Sequence, residues 1–284
     1  MKKKKILILG SKGFYGKKLK VFLKAKKQKV FSDTRFKELL KNSRVDFYLS
    51  KLLLKKPEII INLVANTDVN FCEKNKNEAK KSNIFFIKKL VKLIKKNNLK
   101  VHLIQFSSDQ VYSGKGNHGE KNTNPKNFYG LTKFIGEKYA RKIPSSVLRL
   151  NFIGKSNNKK NLSNWIVKNL QKEKKIHVFK NIFFSPIHVS TLNNLILMII
   201  KNPIIGTFNL GSKNKISKAD FAYRLCKYLK LNFQSLKKVD YKKKTFGVIR
   251  PLDMSLDVTK FEKTYKIKLP LVEKEINKLI NEYK

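Results

Sequence analysis

Short β-branched runs alternate with helical periodicities over the first 155 residues, the pattern of a parallel sheet covered by helices. KILILG (5–10) predicts a first strand, a helix follows from about Gly13 to Lys26, and 29–32 predicts a second strand. EIIINLVA (58–65) and VHLIQFSS (101–108) predict two buried strands. Between them, 82–96 places apolar residues at 84, 87, 90, 91 and 94, one face of a long helix. A further helix starts near Asn127, after Pro125, and SSVLRLNFIG (145–154) returns to the sheet. Beyond Gly154 the pattern loosens into helices at 162–172, 191–201, 218–229 and 272–283, with extended pieces at FFSPIHV and GTFNLGS. The fold class expected is α/β, a doubly wound parallel sheet with a smaller, mixed C-terminal part.

Composition narrows this reading. A 284-residue chain with 41% hydrophobic content can bury a core. Its longest apolar candidate, 192–210, is broken by Asn193, Asn194, Lys201, Pro203 and Gly206, so no membrane insertion is expected. The basic start, 2–5, is followed by too short an apolar stretch for export, which makes the cytoplasm the expected location. Cys72 and Cys226 lie far apart without metal-binding spacing, so no metal site is expected. The net charge of +46 invites a nucleic-acid partner, but only six of 65 basic residues are Arg and Lys is spread over the whole chain. That distribution reads as a solvated surface, with no specific nucleic acid expected and a field that would steer an anionic small molecule.

Candidate chemistry sits at three places. Gly10, Gly13 and Gly16 lie between a strand and a helix, where residues without a Cβ let backbone approach a pyrophosphate at the helix N-terminus. Taken alone, the trio is also compatible with a plain tight turn. Asp33 closes the second strand, where a carboxylate accepts from an adenosine ribose hydroxyl, and Arg35 lies where it would instead neutralise a 2'-phosphate; NADH and NADPH both remain open. Ser107 and Ser108 end an apolar strand, at the sheet edge where open α/β folds bind ligands, although strand-end caps use the same residues. Tyr129 and Lys133 stand one helical turn apart, so an ammonium on the same face would favour ionisation of a phenol that starts near about 10.

These residues resemble the extended short-chain dehydrogenases/reductases, and within them the dTDP-4-dehydrorhamnose reductase type of nucleotide-sugar reductase. ILGSKGFYG is similar to the family's cofactor loop, and PEIIINLVANTDVNFCE to its P-D-V-I-N-A-A-A-x-T-x-V-D-x-x-E segment. FSSDQVYSG resembles its S-T-D-Y-V-F-x-G, and NPKNFYGLTKFIGE its N-x-Y-G-x-T-K-x-x-G-E. LRLNFIG, SPIHVSTL, GTFNLGS and RPLDMSLD match later landmarks, so the resemblance covers nearly the whole chain.

The resemblance implies a Rossmann-like dinucleotide-binding domain at 1–155, with returning segments near 187–211, and a substrate-binding part at 156–284. It implies that Tyr129 protonates a sugar 4-keto oxygen, that Lys133 holds the nicotinamide ribose, and that Ser108 polarises the carbonyl. It places Phe14 and Tyr15 with the glycines in the cofactor loop, Asp46 and Phe47 beside the adenine, and Ala65, Asn66 and Thr67 beneath the cofactor. Asn83 supports the active site in this comparison, Asp109 and Phe152 face the substrate, Phe152 standing where the family usually has Trp, and Arg250 lies in the substrate part close to the nucleotide or its phosphates. The implied activity is NAD(P)H-dependent reduction of a 4-keto nucleotide-activated deoxysugar for surface polysaccharide, in a chain open to homodimer formation.

One departure separates sister reactions. Related 4,6-dehydratases carry Asp-Glu after the catalytic hydroxyl; here the pair is Asp109 and Gln110, and an amide cannot abstract a proton. An epimerase needs the same Tyr, Lys and Ser and stays open, as does a non-catalytic NADP-binding regulatory subunit.

Overall fold

A strand with apolar residues on both faces is stable only when both faces are covered. In the structure, a computed structural model, this holds for the middle of the main sheet. It describes residues 3–32, 45–156, 161–242 and 247–284. In chain order the elements are β1 (Lys5–Leu9), α1 (Phe14–Ala25), β2 (Lys29–Ser32), α2 (Val45–Leu53), β3 (Ile59–Asn62), α3 (Val69–Lys74), α4 (Lys76–Lys80) and a π turn (Lys81–Phe85). Then come α5 (Phe86–Lys96), β4 (His102–Phe106), α6 (Phe128–Ala140), β5 (Ser145–Leu150), β6 (Phe152–Ile153), α7 (Leu162–Leu170), β7 (Ile176–Phe179), β8 (Phe183–Phe184) and β9 (Ile187–His188). The chain finishes with α8 (Val189–Lys201), β10 (Gly206–Leu210), β11 (Ile216–Ser217), α9 (Lys218–Tyr228), β12 (Leu236–Val239), β13 (Asp253–Met254), α10 (Thr259–Tyr265) and α11 (Val272–Tyr283).

The six-stranded sheet runs β10-β5-β4-β3-β1-β2, and the pairs β1–β2, β1–β3, β3–β4 and β4–β5 are all parallel. After β2 the chain crosses back to the other side of β1, so the strand order reverses between β1 and β3, the crevice where open sheets of this kind take ligands. All of β3 and β4 is buried, whereas the edge strand β2 is not.

The described residues fall into two compact units. The first holds Met1–Ser108, Asn127–Arg149 and Asn193–Thr207; the second holds Asp109–Lys126, Leu150–Leu192 and Phe208–Lys284. One core of the first unit packs Leu7, Leu9 and Ile60 of the sheet against Leu49, Leu52, Phe86, Leu90 and Ile94 of α2 and α5. In the second unit, α7, α9 and α11 enclose Ile176, Phe184 and Leu236.

Three elements differ from the sequence expectation. The strand expected at 58–65 stops at Asn62, whose side chain takes a hydrogen bond from Val64 N (3.1 Å) and donates to Gln105 Oε1 (2.8 Å), turning the chain out of the ladder. The helix expected to start at 82 begins earlier, at Lys76, and carries the π turn. The segment 145–154 is two strands: β5 stays in the main sheet, and β6 pairs in parallel with β9. Among the described residues no helix is long and apolar enough to cross a membrane, and no group of three or more His, Cys, Asp or Glu is placed to hold a metal.

Candidate active site

The glycine turn follows from what β1 must do at its end. Gly10 has a φ of +84°, and a Cβ there would press on the Leu63–Val64 backbone at 3.1 to 3.2 Å. A Cβ on Gly16 would overlap the Gly10 carbonyl oxygen and lie 2.8 Å from Ser11 Cα. Both residues therefore let helix α1 begin hard against the strand. Gly13 caps that helix in extended conformation, and its first turn carries no acidic side chain, so nothing opposes an anion at this end. Tyr15 is buried against Phe106 with ring centroids 5.4 Å apart, tying the turn to β4, and burial holds its phenol pKa well up. The residues fit a bound dinucleotide in this respect. Asp33 and Arg35 lie outside the described residues. Asp46 and Phe47 sit in the first turn of α2; the Asp46 carboxylate is 3.2 Å from Lys89 Nζ, and Phe47 is 73% exposed.

Tyr129 and Lys133 come from α6, whose start is fixed twice. The Asn127 side chain accepts from Gly130 N at 2.8 Å, and Glu73 accepts from Phe128 N at 3.0 Å. Both side chains are buried, Tyr129 in a small cluster with Cys72 and Ala79. Lys133 Nζ donates to the Phe106 carbonyl at 2.7 Å, at the end of β4 and two residues before Ser108. The structure thus brings the lysine, its helix and the strand end that leads to Ser108 together in one unit. Burial lowers the Lys133 pKa to about 8, while Glu137 and Cys72 work in the opposite direction. Burial, helped by Asp68, pushes the Cys72 thiol up to about 11.

Asn83, from the π turn, links the other parts. Its Nδ2 donates to Thr132 Oγ1 (2.9 Å) and to Asn66 O (3.1 Å), and its Oδ1 accepts from Asn66 N (2.8 Å). The extra residue of a π turn is what aims this side chain inward. Ala65, Asn66 and Thr67 form the loop it holds, directly after β3.

The sequence reading missed Glu137. It is fully buried one turn beyond Lys133, and it accepts from Ser107 Oγ (2.5 Å), Arg149 Nε (2.9 Å), Arg149 Nη2 (2.6 Å) and Arg141 Nη1 (3.2 Å). Of the adjacent serines, then, Ser107 turns to this buried carboxylate. An arginine between the leucines of the strand run SSVLRL was the visible signal for a buried partner.

In the second unit, Asp109 is buried and its Oδ2 accepts from Asn151 Nδ2 at 2.9 Å; Gln110 Nε2 lies 2.7 Å from Met254 Sδ. Phe152 is half-buried in β6. Arg250 N donates to the Tyr241 hydroxyl at 3.1 Å, which itself donates to Val248 O at 2.6 Å, so the segment before β13 is pinned by that phenol.

The model of the family described as RmlD substrate binding domain matches residues 4–284. A dTDP-4-dehydrorhamnose reductase from Bacillus anthracis, solved in complex with NADP, is similar over 99% of this chain and 100% of its own, with a TM-score of 0.89 and 21% identity. A hypothetical dTDP-4-dehydrorhamnose reductase from Sulfolobus tokodaii is 27% identical over 91% of this chain and 94% of its own, with a TM-score of 0.77. A probable low-salt glycan biosynthesis reductase from Haloferax volcanii is 23% identical over 182 residues, 61% of this chain and 60% of that protein.

Proposed function

We propose a function from the premise that this chain belongs to the RmlD substrate binding domain family: it reduces the 4-keto group of a nucleotide-activated deoxysugar with NAD(P)H. The observation that carries this reading is the Lys133 ammonium fixed on the Phe106 carbonyl at 2.7 Å, with Tyr129 one turn away on the same helix. The nicotinamide supplies the hydride when bound. Gly10, Gly13 and Gly16 let backbone approach its pyrophosphate, with Phe14 and Tyr15 completing the loop. Tyr129 delivers a proton to the carbonyl oxygen, and Ser108 donates a hydrogen bond to that oxygen as charge develops on it. Lys133 supplies a positive charge that cannot swing away, because its position is set by a main-chain acceptor. Asn83 keeps the loop of Asn66 and the helix of Tyr129 in register.

Gln110 at the position of a dehydratase's second carboxylate favours reduction over elimination of water. Supply of surface polysaccharide precursors and a cytoplasmic setting belong to the same proposal. It is tested by following NADPH and NADH oxidation with a panel of 4-keto nucleotide sugars. Turnover is expected with at least one, and Tyr129→Phe should reduce kcat by about 100-fold. Clear cofactor binding without turnover of any substrate in the panel would favour a regulatory scaffold instead.

A further inference from the structure

The peptide between Phe106 and Ser107 faces two ways. Its N–H, from Ser107, donates to Leu148 O of β5 at 2.7 Å, so in a trans peptide the Phe106 carbonyl points to the β3 side. Strand β3 gives it no ladder partner there, because the β3–β4 register ends at the pair Asn62 and Gln105. Two side-chain donors take the place of the strand: Lys133 Nζ at 2.7 Å and Gln105 Nε2 at 3.0 Å. A carbonyl oxygen has two lone pairs, and both are used.

Gln105 is itself held from behind. Its Oε1 accepts from Asn62 Nδ2 at 2.8 Å, and Asn62 Oδ1 accepts from Val64 N at 3.1 Å. The direction of the whole series follows from its first member. A main-chain N–H only donates, so the Asn62 oxygen must face Val64, its nitrogen must face Gln105, and the Gln105 nitrogen is left for Phe106. Val64 N also lies 3.2 Å from where a Cβ on Gly10 would stand, so the series begins at the backbone against which the glycine turn rests and ends at the ammonium. Asn62 and Gln105 are both buried, and the rest of β3 is isoleucine. Apolar side chains would fill this place without needing partners, so burial alone does not account for two amides; what they add is a fixed direction for one carbonyl.

We propose that Gln105, anchored by Asn62, is a positioning residue for Lys133: it holds the carbonyl that orients the ammonium and ties it to the main chain beside the glycine turn, so that lysine and cofactor turn keep one spacing. The inference rests on the reading of Lys133 as the residue that holds the nicotinamide ribose.

The test is NADPH binding to the full chain, followed by cofactor fluorescence at about pH 7, for the wild type, Gln105→Met, Lys133→Met and the double variant. Methionine matches glutamine in length and is unbranched, but has no N–H to donate. Gln105→Met is expected to weaken binding by about five- to tenfold, and to have no further effect once Lys133→Met is present, because it acts through the lysine. Wild-type affinity in Gln105→Met, or the same loss in both backgrounds, overturns the inference; the second result is what a merely structural role gives.

Asn62→Asp tests the direction of the series without changing its shape, and serves where Gln105→Met does not fold. A protonated carboxyl donates to Gln105 as the amide does, whereas an ionised one makes Gln105 turn its nitrogen back and its oxygen toward Phe106 O. NADPH binding by Asn62→Asp should therefore weaken more steeply than that of the wild type between about pH 7 and about pH 8.5, and an identical pH dependence overturns the relay. Failures are told apart by Lys133→Met: if it binds NADPH unimpaired, the lysine's role falls and takes this inference with it, whereas a loss there with none in Gln105→Met sinks this inference alone. A wild type that binds NADPH but turns over no 4-keto nucleotide sugar sinks the reductase reading and leaves the binding test standing.

Discussion

The two units each desolvate a lysine, and they compensate for it differently. Lys133 is fully enclosed, yet its ammonium has a carbonyl at 2.7 Å and a carboxylate one turn along its own helix. Lys218 has an aromatic face, a carboxylate shared with Asn151 and a cation for a neighbour. Burial lowers both, to about 8 for Lys133 and about 7 for Lys218. The contrast teaches that a depressed lysine pKa does not by itself define a role. In the first unit the charge is held by a hydrogen-bonded framework, and in the second it rests on an aromatic ring.

The strongest way to break the comparison is to remove the framework. Glu137→Ala leaves Arg149 buried without its partner and should cost about 3 to 5 kcal/mol of stability, read by denaturant unfolding. A loss under about 1 kcal/mol would mean that the carboxylate is not the organising group we take it to be. Next in size is the loss of about 100-fold in kcat for Tyr129→Phe. A smaller effect concerns pH. Lys133 keeps its charge below about 8, so kcat should fall as pH rises through that value, and in Glu137→Gln the fall should begin at lower pH because the carboxylate holds the lysine pKa up.

The smallest effect is on stability. Lys218 is lowered from its ordinary value of 10.5 to about 7 on folding, so between those values the unfolded chain binds more protons and folding becomes more favourable as pH rises. The wild type should therefore gain stability relative to Lys218→Met between about pH 7 and about pH 10, and show no relative change below pH 7. A difference that shrinks with rising pH would contradict the sign.

Much of the first unit was legible because its elements are set by local pattern. The run KILIL and the stretch 29–32 gave strands at the expected places, and Asn127 after Pro125 marked the start of α6. The pairing of β7 with β12 was not legible: IHVF and LKKV are separated by 56 residues (Phe179 to Leu236 excluded), and LKKV is half exposed, so neither period nor composition singles them out. At the candidate site, spacing singled out Tyr129 and Lys133, and the resemblance singled out Asn83. Glu137 was not, since a Glu on a helix reads as surface until Arg149 and Ser107 arrive from separate strands. Lys218 was hidden for a related reason. In a chain with 65 basic residues, one more lysine carries no signal until its surroundings are known.

The five-residue π turn at Lys81–Phe85 has a consequence for how this chain tolerates change. Deleting one residue from it would wind the segment into ordinary α-helix and swing Asn83 by about 100° around the axis, away from Asn66 and Thr132. Point substitutions on the outer face of that turn should be absorbed, but a single-codon deletion should uncouple the loop from the helix while leaving both intact. Length is therefore constrained by geometry there more strictly than side-chain identity.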